Sequence, residues 1–320
     1  MDDGTAVTLP VTGVTRTAID RAPRLWTLWK AARPSQLALI GAVYALGIGM
    51  ALGRRGDWSL AAHGPAVGIG GLAVFAVAAS IHYANEYVDV ETDRRTERTP
   101  FSGGSGALAQ TGVDRVVLAR ASLTAVIVGI AIAAGGYVTG QLSATAVVFL
   151  GVIALAGLGY SLPPTAFIRR GVGELVNALL GGLLLPLYGT TTVGTPTVAD
   201  GVALVPFCCL IGCNLLATHW PDRDADASVG KRTLAVRLPP DRLRRLYWLL
   251  AGSAVVVTGL SYETVLPPLV VAGQAGSLPL VLWGGIVLTR QRSPFPAVAA
   301  MVWYALATAA AWWSLAVPFV

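Results

Sequence analysis

Long apolar runs separated by short polar stretches organise this chain from end to end. They fall at roughly 35–53, 65–84, 116–138, 142–160, 173–190, 201–219, 246–261, 265–288 and 296–318. Each approaches the roughly 20 residues that an α-helix, rising about 1.5 Å per residue, needs to cross about 30 Å of hydrocarbon. Gly and Pro recur inside the runs, which membrane helices tolerate because their neighbours satisfy the freed backbone groups. The third and fourth runs are parted only by Thr139-Gly140-Gln141, a tight uncharged turn. The pattern predicts an all-α polytopic membrane protein with nine transmembrane helices. Residues 1–32 read as a tail and 33–320 as one transmembrane domain. The tail is mixed and polar, without an apolar segment leading to a small-residue cleavage site, so it does not read as a signal peptide.

Composition sharpens the class. The 320 residues are 54% hydrophobic and 12% charged, with a mean hydropathy of +0.65, which excludes an ordinary soluble enzyme. The net charge of +6 raises the question of nucleic acid. The basic residues are loop-borne and not interleaved with aromatics, so topology accounts for them better and no nucleic acid is expected. With the N-terminus in the cytoplasm and the runs alternating, all of the 23 Lys and Arg residues except Arg54 and Arg55 fall on the cytoplasmic side. Cytoplasmic loops are enriched in these residues. The bias therefore predicts a cell-membrane protein with its N-terminus inside and its C-terminus outside. Cys208, Cys209 and Cys213 lie in an apolar run without metal spacing and read as packing residues, and the three His give no zinc signature.

The candidate chemistry sits in the two long inside loops, about 85–115 and 220–245. As a helix, Asn85, Asp89 and Asp93 fall at i, i+4 and i+8 and, at about 100° per residue, share one face. Carboxylates so spaced repel one another, and near a bilayer they are costly. A hard divalent cation relieves that cost, and Mg²⁺ characteristically pairs one or two carboxylates with substrate phosphates. Asp222 and Asp226 repeat the spacing after another apolar run, followed closely by Gly230-Lys231-Arg232-Thr233. Two acidic clusters at the mouths of hydrophobic helices on one side suit a two-metal diphosphate clamp. A solvated helix end is the plainer reading of either cluster alone.

These residues resemble the paired aspartate-rich motifs of the UbiA superfamily of intramembrane aromatic prenyltransferases. Thr99-Pro100-Phe101-Ser102-Gly103-Gly104-Ser105-Gly106, Gly171-Val172-Gly173-Glu174 and Gly230-Lys231-Arg232-Thr233-Leu234-Ala235-Val236 look most like the branch containing 1,4-dihydroxy-2-naphthoate polyprenyltransferase. The resemblance implies nine helices around a central cavity that faces the cytoplasm, with Mg²⁺ as cofactor. Asn85, Asp89 and Asp93 would hold one ion and Asp222 and Asp226 the other, both bridging to the diphosphate of a polyprenyl donor. The acceptor it implies is 1,4-dihydroxy-2-naphthoate, in menaquinone biosynthesis. A 4-hydroxybenzoate, a homogentisate-like ring and an archaeal glycerol phosphate ether are the alternatives.

Around the motifs, Lys231, Arg232 and Arg98 each follow an acidic cluster closely, where a diphosphate would lie. Arg33, before Pro34, resembles a family Arg-Pro pair that reaches the diphosphate. Tyr160 and Ser161 end the fourth run; an interfacial Tyr is commonly an anchor, and the resemblance makes the pair substrate contacts, the ring facing an allylic cation. The second motif departs from the first: Thr218 stands four residues before Asp222, Asn214 lies one turn further back, and Pro221 interrupts the helix. Asn214 and Asp224 both remain open as its completing ligand. Glu86 could lie near the metal face, and Glu174 complements a helix dipole or contacts the acceptor. His82 and His219 read as helix packing. A cation-coupled transporter built from repeats is the reading from another class; carboxylates at helix ends, rather than at mid-membrane, weigh against it.

Overall fold

A computed structural model describes residues 19–55, 59–95 and 104–317, and apart from an isolated bridge between Tyr262 and Leu266 their regular structure is helical. A short helix, α1 (Pro23–Ala31), leads through Arg33 (φ 53°) into α2 (Pro34–Gly53). Then come α3 (Leu60–Val88), α4 (Val90–Arg95) and α5 (Ala107–Thr111). The hairpin of α6 (Val116–Val138) and α7 (Ala144–Ser161) follows, with α8 (Phe167–Arg170) after it. Next are α9 (Gly173–Leu179), α10 (Leu185–Thr191) and α11 (Val198–His219). Two short helices, α12 (Arg223–Ser228) and α13 (Leu234–Arg237), precede α14 (Pro240–Leu260). The chain closes with α15 (Pro268–Ala275), α16 (Leu278–Val287) and α17 (Phe295–Ala316).

Among the described residues, eight spans are long and apolar enough to cross a membrane, counting α15 and α16 as one. The run predicted at 173–190 is the remaining member, and it is helical but broken. Between α9 and α10 the residues Leu180–Leu184 form a π-helical turn. Pro186 has no N–H to return to the carbonyl four residues back, so the hydrogen-bond ladder slips at this point.

The outward sides are apolar, as lipid contact requires: Leu123 and Ile127 of α6, Leu155 of α7 and Leu249 and Leu260 of α14 are all exposed. The interior is held by large side chains, among them Tyr44, Tyr188, Phe207, Tyr247 and Trp312, and the three tyrosine hydroxyls are spent across helix boundaries. Tyr44 and Tyr188 donate to the carbonyls of Val67 and Gly70 at 2.8 and 2.9 Å, and Trp313 Nε1 donates to that of Ala45 at 2.8 Å. Such bonds contribute about 0.6 kcal/mol each in a membrane but also fix which faces meet.

The short helices gather at one end of the bundle. There α1 docks on α5 through Thr27 and Thr111, whose hydroxyls are 2.8 Å apart, leaving Leu25 and Trp29 outward. At the other end lie the two basic residues that the charge pattern assigns to the opposite side, and both are tied down. Arg54 pairs with buried Asp200 at 2.8 Å, and Arg55 donates to the Val193 carbonyl at 2.9 Å. Thr197 and Asp200 cap α11 reciprocally, so Asp200 starts that helix and holds Arg54 at once.

Candidate active site

The first acidic motif is an extension of α3. The i→i−4 ladder continues from Asp89 N to the Asn85 carbonyl and from Asp93 N to the Asp89 carbonyl, each at 2.8 Å. Asp89 caps α3 and α4 begins immediately after it, so the shared face read from spacing survives a small break. Ser161 Oγ, at the end of α7, donates to Asn85 Oδ1 at 2.7 Å. Glu86, one position on, is a hub. Its Oε1 accepts from Arg33 Nη2 at 2.6 Å and from the Ser105 amide at 2.8 Å, and its Oε2 accepts from Ser105 Oγ at 2.7 Å. Arg33 therefore reaches the acidic end of α3 but spends its guanidinium on a neighbour of the metal-face residues. Gly104 (φ +64°) brings its backbone against the Asp93 carboxylate so closely that a Cβ would collide with it.

The second motif is assembled differently. α11 stops at His219, Trp220 and Pro221 turn the chain, and Asp222 caps the short α12. Asp226 N still bonds the Asp222 carbonyl at 2.8 Å, keeping the i, i+4 relation. Lys231 N returns to the Asp226 carbonyl at 2.9 Å through Gly230, whose φ is +77°. Asp224 points away: its side chain is 81% exposed and pairs with Arg223 at 3.3 Å. Asn214 Oδ1, two turns before Asp222, is buried without a hydrogen-bond partner.

The two motifs meet at Lys231. Its ammonium lies 3.1 Å from Asp89 Oδ1 and 3.4 Å from Asp226 Oδ1, and its side chain is 11% exposed. Residues far apart in the chain thus share one small volume at the mouth of the bundle. The charge balance there is strained. Burial, then the charges of Glu86 and Asp89, push the Asp93 carboxyl up to about 7. Burial also raises Asp226, with Lys231 and His219 opposing it. Burial alone would depress Lys231, but Asp89 and Asp226 outweigh it and hold its pKa above the usual lysine value. Among the described residues no three carboxylate, imidazole or thiol groups converge on a single metal position. What the two motifs offer is dispersed hard oxygen, from Asn85, Asp89 and Asp93 on one side and Asp222 and Asp226 on the other, with the unpartnered Asn214 Oδ1 further back on α11. That set fits Mg²⁺, which takes few protein ligands and completes its shell with water and phosphate oxygens.

Of the remaining sequence candidates, Tyr160 lies in the last turn of α7 beside Ser161, with its ring against Gly173. Arg232 is exposed at the side chain, while its amide donates to the Ile168 carbonyl at 3.0 Å. Arg98, with Thr99 to Gly103, lies outside the described residues. His82 is buried and bonded to the Ala32 carbonyl at 2.7 Å, a packing role. His219 is more than packing, because its Nδ1 is 3.1 Å from Glu174 Oε1. No local pattern announces that pair, which joins the end of α11 to the start of α9. Asp89, Asp93, Asp222 and Asp226 all lie beyond the ends of their spans, unlike the mid-membrane carboxylates of a coupled transporter.

A family model matches residues 39–315 of the chain, almost the entire helical bundle, and it is that of the UbiA prenyltransferase family. The chain belongs to the UbiA prenyltransferase family. It is accordingly a membrane-embedded enzyme of several spans. Solved UbiA-type structures have the same fold. A UbiA homologue from Archaeoglobus fulgidus bound to GPP and Mg²⁺ superposes with a TM-score of 0.65 at 15% identity, covering 90% of this chain and 99% of that one. A digeranylgeranylglyceryl phosphate synthase gives 0.63 at 16% identity, covering 92% and 99%. Over 186 residues the chain is also 30% identical to the 1,4-dihydroxy-2-naphthoate octaprenyltransferase of Mycobacterium tuberculosis (strain ATCC 25618 / H37Rv). That match spans 57% of this chain and 61% of the mycobacterial enzyme.

Proposed function

We propose that this UbiA-family enzyme transfers a polyprenyl group from its diphosphate to an aromatic ring, with Mg²⁺ held between the two acidic motifs and 1,4-dihydroxy-2-naphthoate as the acceptor. The observation that carries the reading is the Asp89–Lys231–Asp226 bridge, because a diphosphate can touch both motifs only if they are this close. Asn85, Asp89 and Asp93 on one side, and Asp222, Asp226 and Asn214 on the other, would hold the ions. Bound Mg²⁺ supplies Lewis-acid stabilisation of the charge that grows on the leaving diphosphate. Lys231 adds a positive charge at the same point and is already desolvated there. Tyr160 would present a ring face to an allylic cation, Ser161 orients Asn85, and Arg33 and Glu86 keep the Ser105 loop seated beside Asp93. The surrounding helices exclude water, which would otherwise intercept the cation.

The naphthoate acceptor is supported by the mycobacterial relative and by the Gly171–Glu174 and Gly230–Val236 segments. The basic loops beside the motifs support a site that opens to the cytoplasm, with the N-terminus inside and the C-terminus outside. The test uses purified protein in liposomes with labelled geranylgeranyl diphosphate and a panel of acceptors, among them 1,4-dihydroxy-2-naphthoate, 4-hydroxybenzoate, homogentisate and a glycerol phosphate ether. Mg²⁺-dependent labelling of the naphthoate above the others is the expected result. Labelling of a different acceptor would overturn the acceptor, and labelling of none would overturn the reading.

A further inference from the structure

Glu174, read from the sequence as a helix-dipole partner or an acceptor contact, takes no part in holding the ions or the donor. It is 4% exposed, at the start of α9. Its Oε1 does two structural jobs, accepting from the Leu234 amide at 2.6 Å and from His219 Nδ1 at 3.1 Å. That oxygen alone brackets α9, the end of α11 and the segment after Lys231 together. Its Oε2 is buried with no hydrogen-bond partner. A carboxylate oxygen left without a donor in a desolvated place is destabilising, and buried polar atoms are otherwise almost always paired. A purely structural bracket would face its spare oxygen to solvent or to a second amide. The surroundings add a direction. Gly173, the residue before Glu174, lets the Tyr160 ring approach so that a Cβ there would stand 3.2 Å from it, and Tyr160 directly precedes Ser161, which donates to Asn85. Glu174 thus borders the chamber of the acidic motifs without belonging to either.

We infer that Glu174 Oε2 accepts the hydrogen bond of a ring hydroxyl on the aromatic acceptor, with His219 and the Leu234 amide holding the carboxylate in place. This rests on the prenyl-transfer reading and adds the acceptor subsite to it. A hydroxyl so held is oriented and made more electron-donating, which favours the step in which a ring carbon bonds the prenyl carbon as that carbon's bond to diphosphate breaks. Diphosphate leaves with the electron pair, and the ring carbon releases a proton to water to restore aromaticity, with no change of oxidation state overall. Glu174 would then set which acceptors react, while the acidic motifs handle the donor.

The experiment is a substrate–enzyme cycle in liposomes with Mg²⁺ and labelled geranylgeranyl diphosphate. Wild type and Glu174→Gln are each given 1,4-dihydroxy-2-naphthoate and its two mono-O-methyl ethers. Wild type is expected to lose about 10²-fold in kcat/KM on one ether, the size of a hydrogen bond to a charged group. Glu174→Gln is expected to lose a similar factor on the diol and nothing further on that ether, with the KM for the donor unchanged. Equal losses of Glu174→Gln on all three acceptors, or no loss, overturn the inference. Folding is checked by binding of a non-reactive thiolodiphosphate analogue of the donor. If Glu174→Gln fails that check, Glu174→Asp, which keeps both oxygens, enters the same cycle with a smaller loss of discrimination expected and equal losses overturning. Failure of wild type to prenylate any acceptor would remove the parent reading as well; normal wild-type turnover without the ether pattern removes this inference alone.

Discussion

The acid-rich ends of α3 and α11 carry the same i, i+4 arrangement on two different kinds of support. Asn85, Asp89 and Asp93 continue a membrane helix, so the backbone ladder itself holds them in line. Asp222 and Asp226 follow a stop at Pro221 and sit on the separate short helix α12, where Lys231 returns locally to Asp226 and carries its ammonium across to Asp89. Each end has a buried glutamate bracing it, Glu86 for the first and Glu174 for the second. Glu86 is fully employed by Arg33 and Ser105, whereas Glu174 keeps an oxygen in reserve. The difference teaches that one local spacing, kept by the backbone in both motifs, can ride on a continuing membrane helix or on a separate short helix that the fold must place. The carboxylate at the second end is also the one with an oxygen to spare.

The comparison can be broken most severely at its shared centre. Asp89→Asn and Asp226→Asn should each lower kcat by about 10³-fold, as losing a transition-state electrostatic contact does. Expression and melting temperature should change little, because Lys231 keeps one carboxylate in either variant. Near-normal turnover in one of them would mean that a single motif suffices. Lys231→Met removes the cation from both carboxylates and should cost about 3 kcal/mol of stability in EDTA, the low end for breaking a buried pair. Added Mg²⁺ should raise the melting temperature of this variant more than that of wild type, since the ion then replaces the missing charge. An equal Mg²⁺ shift in both proteins would argue that the metal does not sit between these aspartates.

Smaller effects separate the two supports. Glu86→Gln should lose about 2 kcal/mol in a denaturation experiment in detergent, from weakened charged bonds to Arg33 and Ser105. It should act through the first motif only, leaving the acceptor preference untouched. The smallest contrast tests the asymmetry of the second motif. Asn214→Leu should raise the Mg²⁺ concentration for half-maximal activity about tenfold, the lower end for disturbing a metal's surroundings. Asp224→Asn, at an 81% exposed side chain, should stay within about twofold of wild type. The reverse order would assign Asp224 to the metal.

Much of the bundle is legible in the hydrophobic pattern, because a helix in hydrocarbon must satisfy its own backbone and needs a minimum apolar length. The run at 173–190 shows the limit. Its apolar character is plain, but the π turn at Leu180–Leu184 arises from how Pro186 disrupts a ladder packed against α11, and hydropathy carries no sign of that. The first acidic face was likewise readable, since i, i+4 and i+8 positions lie together on any helix. The second motif resisted, with Asn214 and Asp224 equally open, because a turn at Pro221 destroys periodicity and only the fold shows which side chain points inward.

The chain's order of residues alone therefore determined its solvent, its helices and the carboxylates that stand at their ends, all consequences of period and polarity within some twenty neighbours. Tertiary structure decided what those carboxylates face: Lys231 between Asp89 and Asp226, Arg33 on Glu86, and His219 on Glu174. The physical reason is that the pairings of Lys231 with Asp89, Arg33 with Glu86 and His219 with Glu174 join segments dozens of residues apart. Their geometry is set by how whole helices pack, which no local pattern encodes.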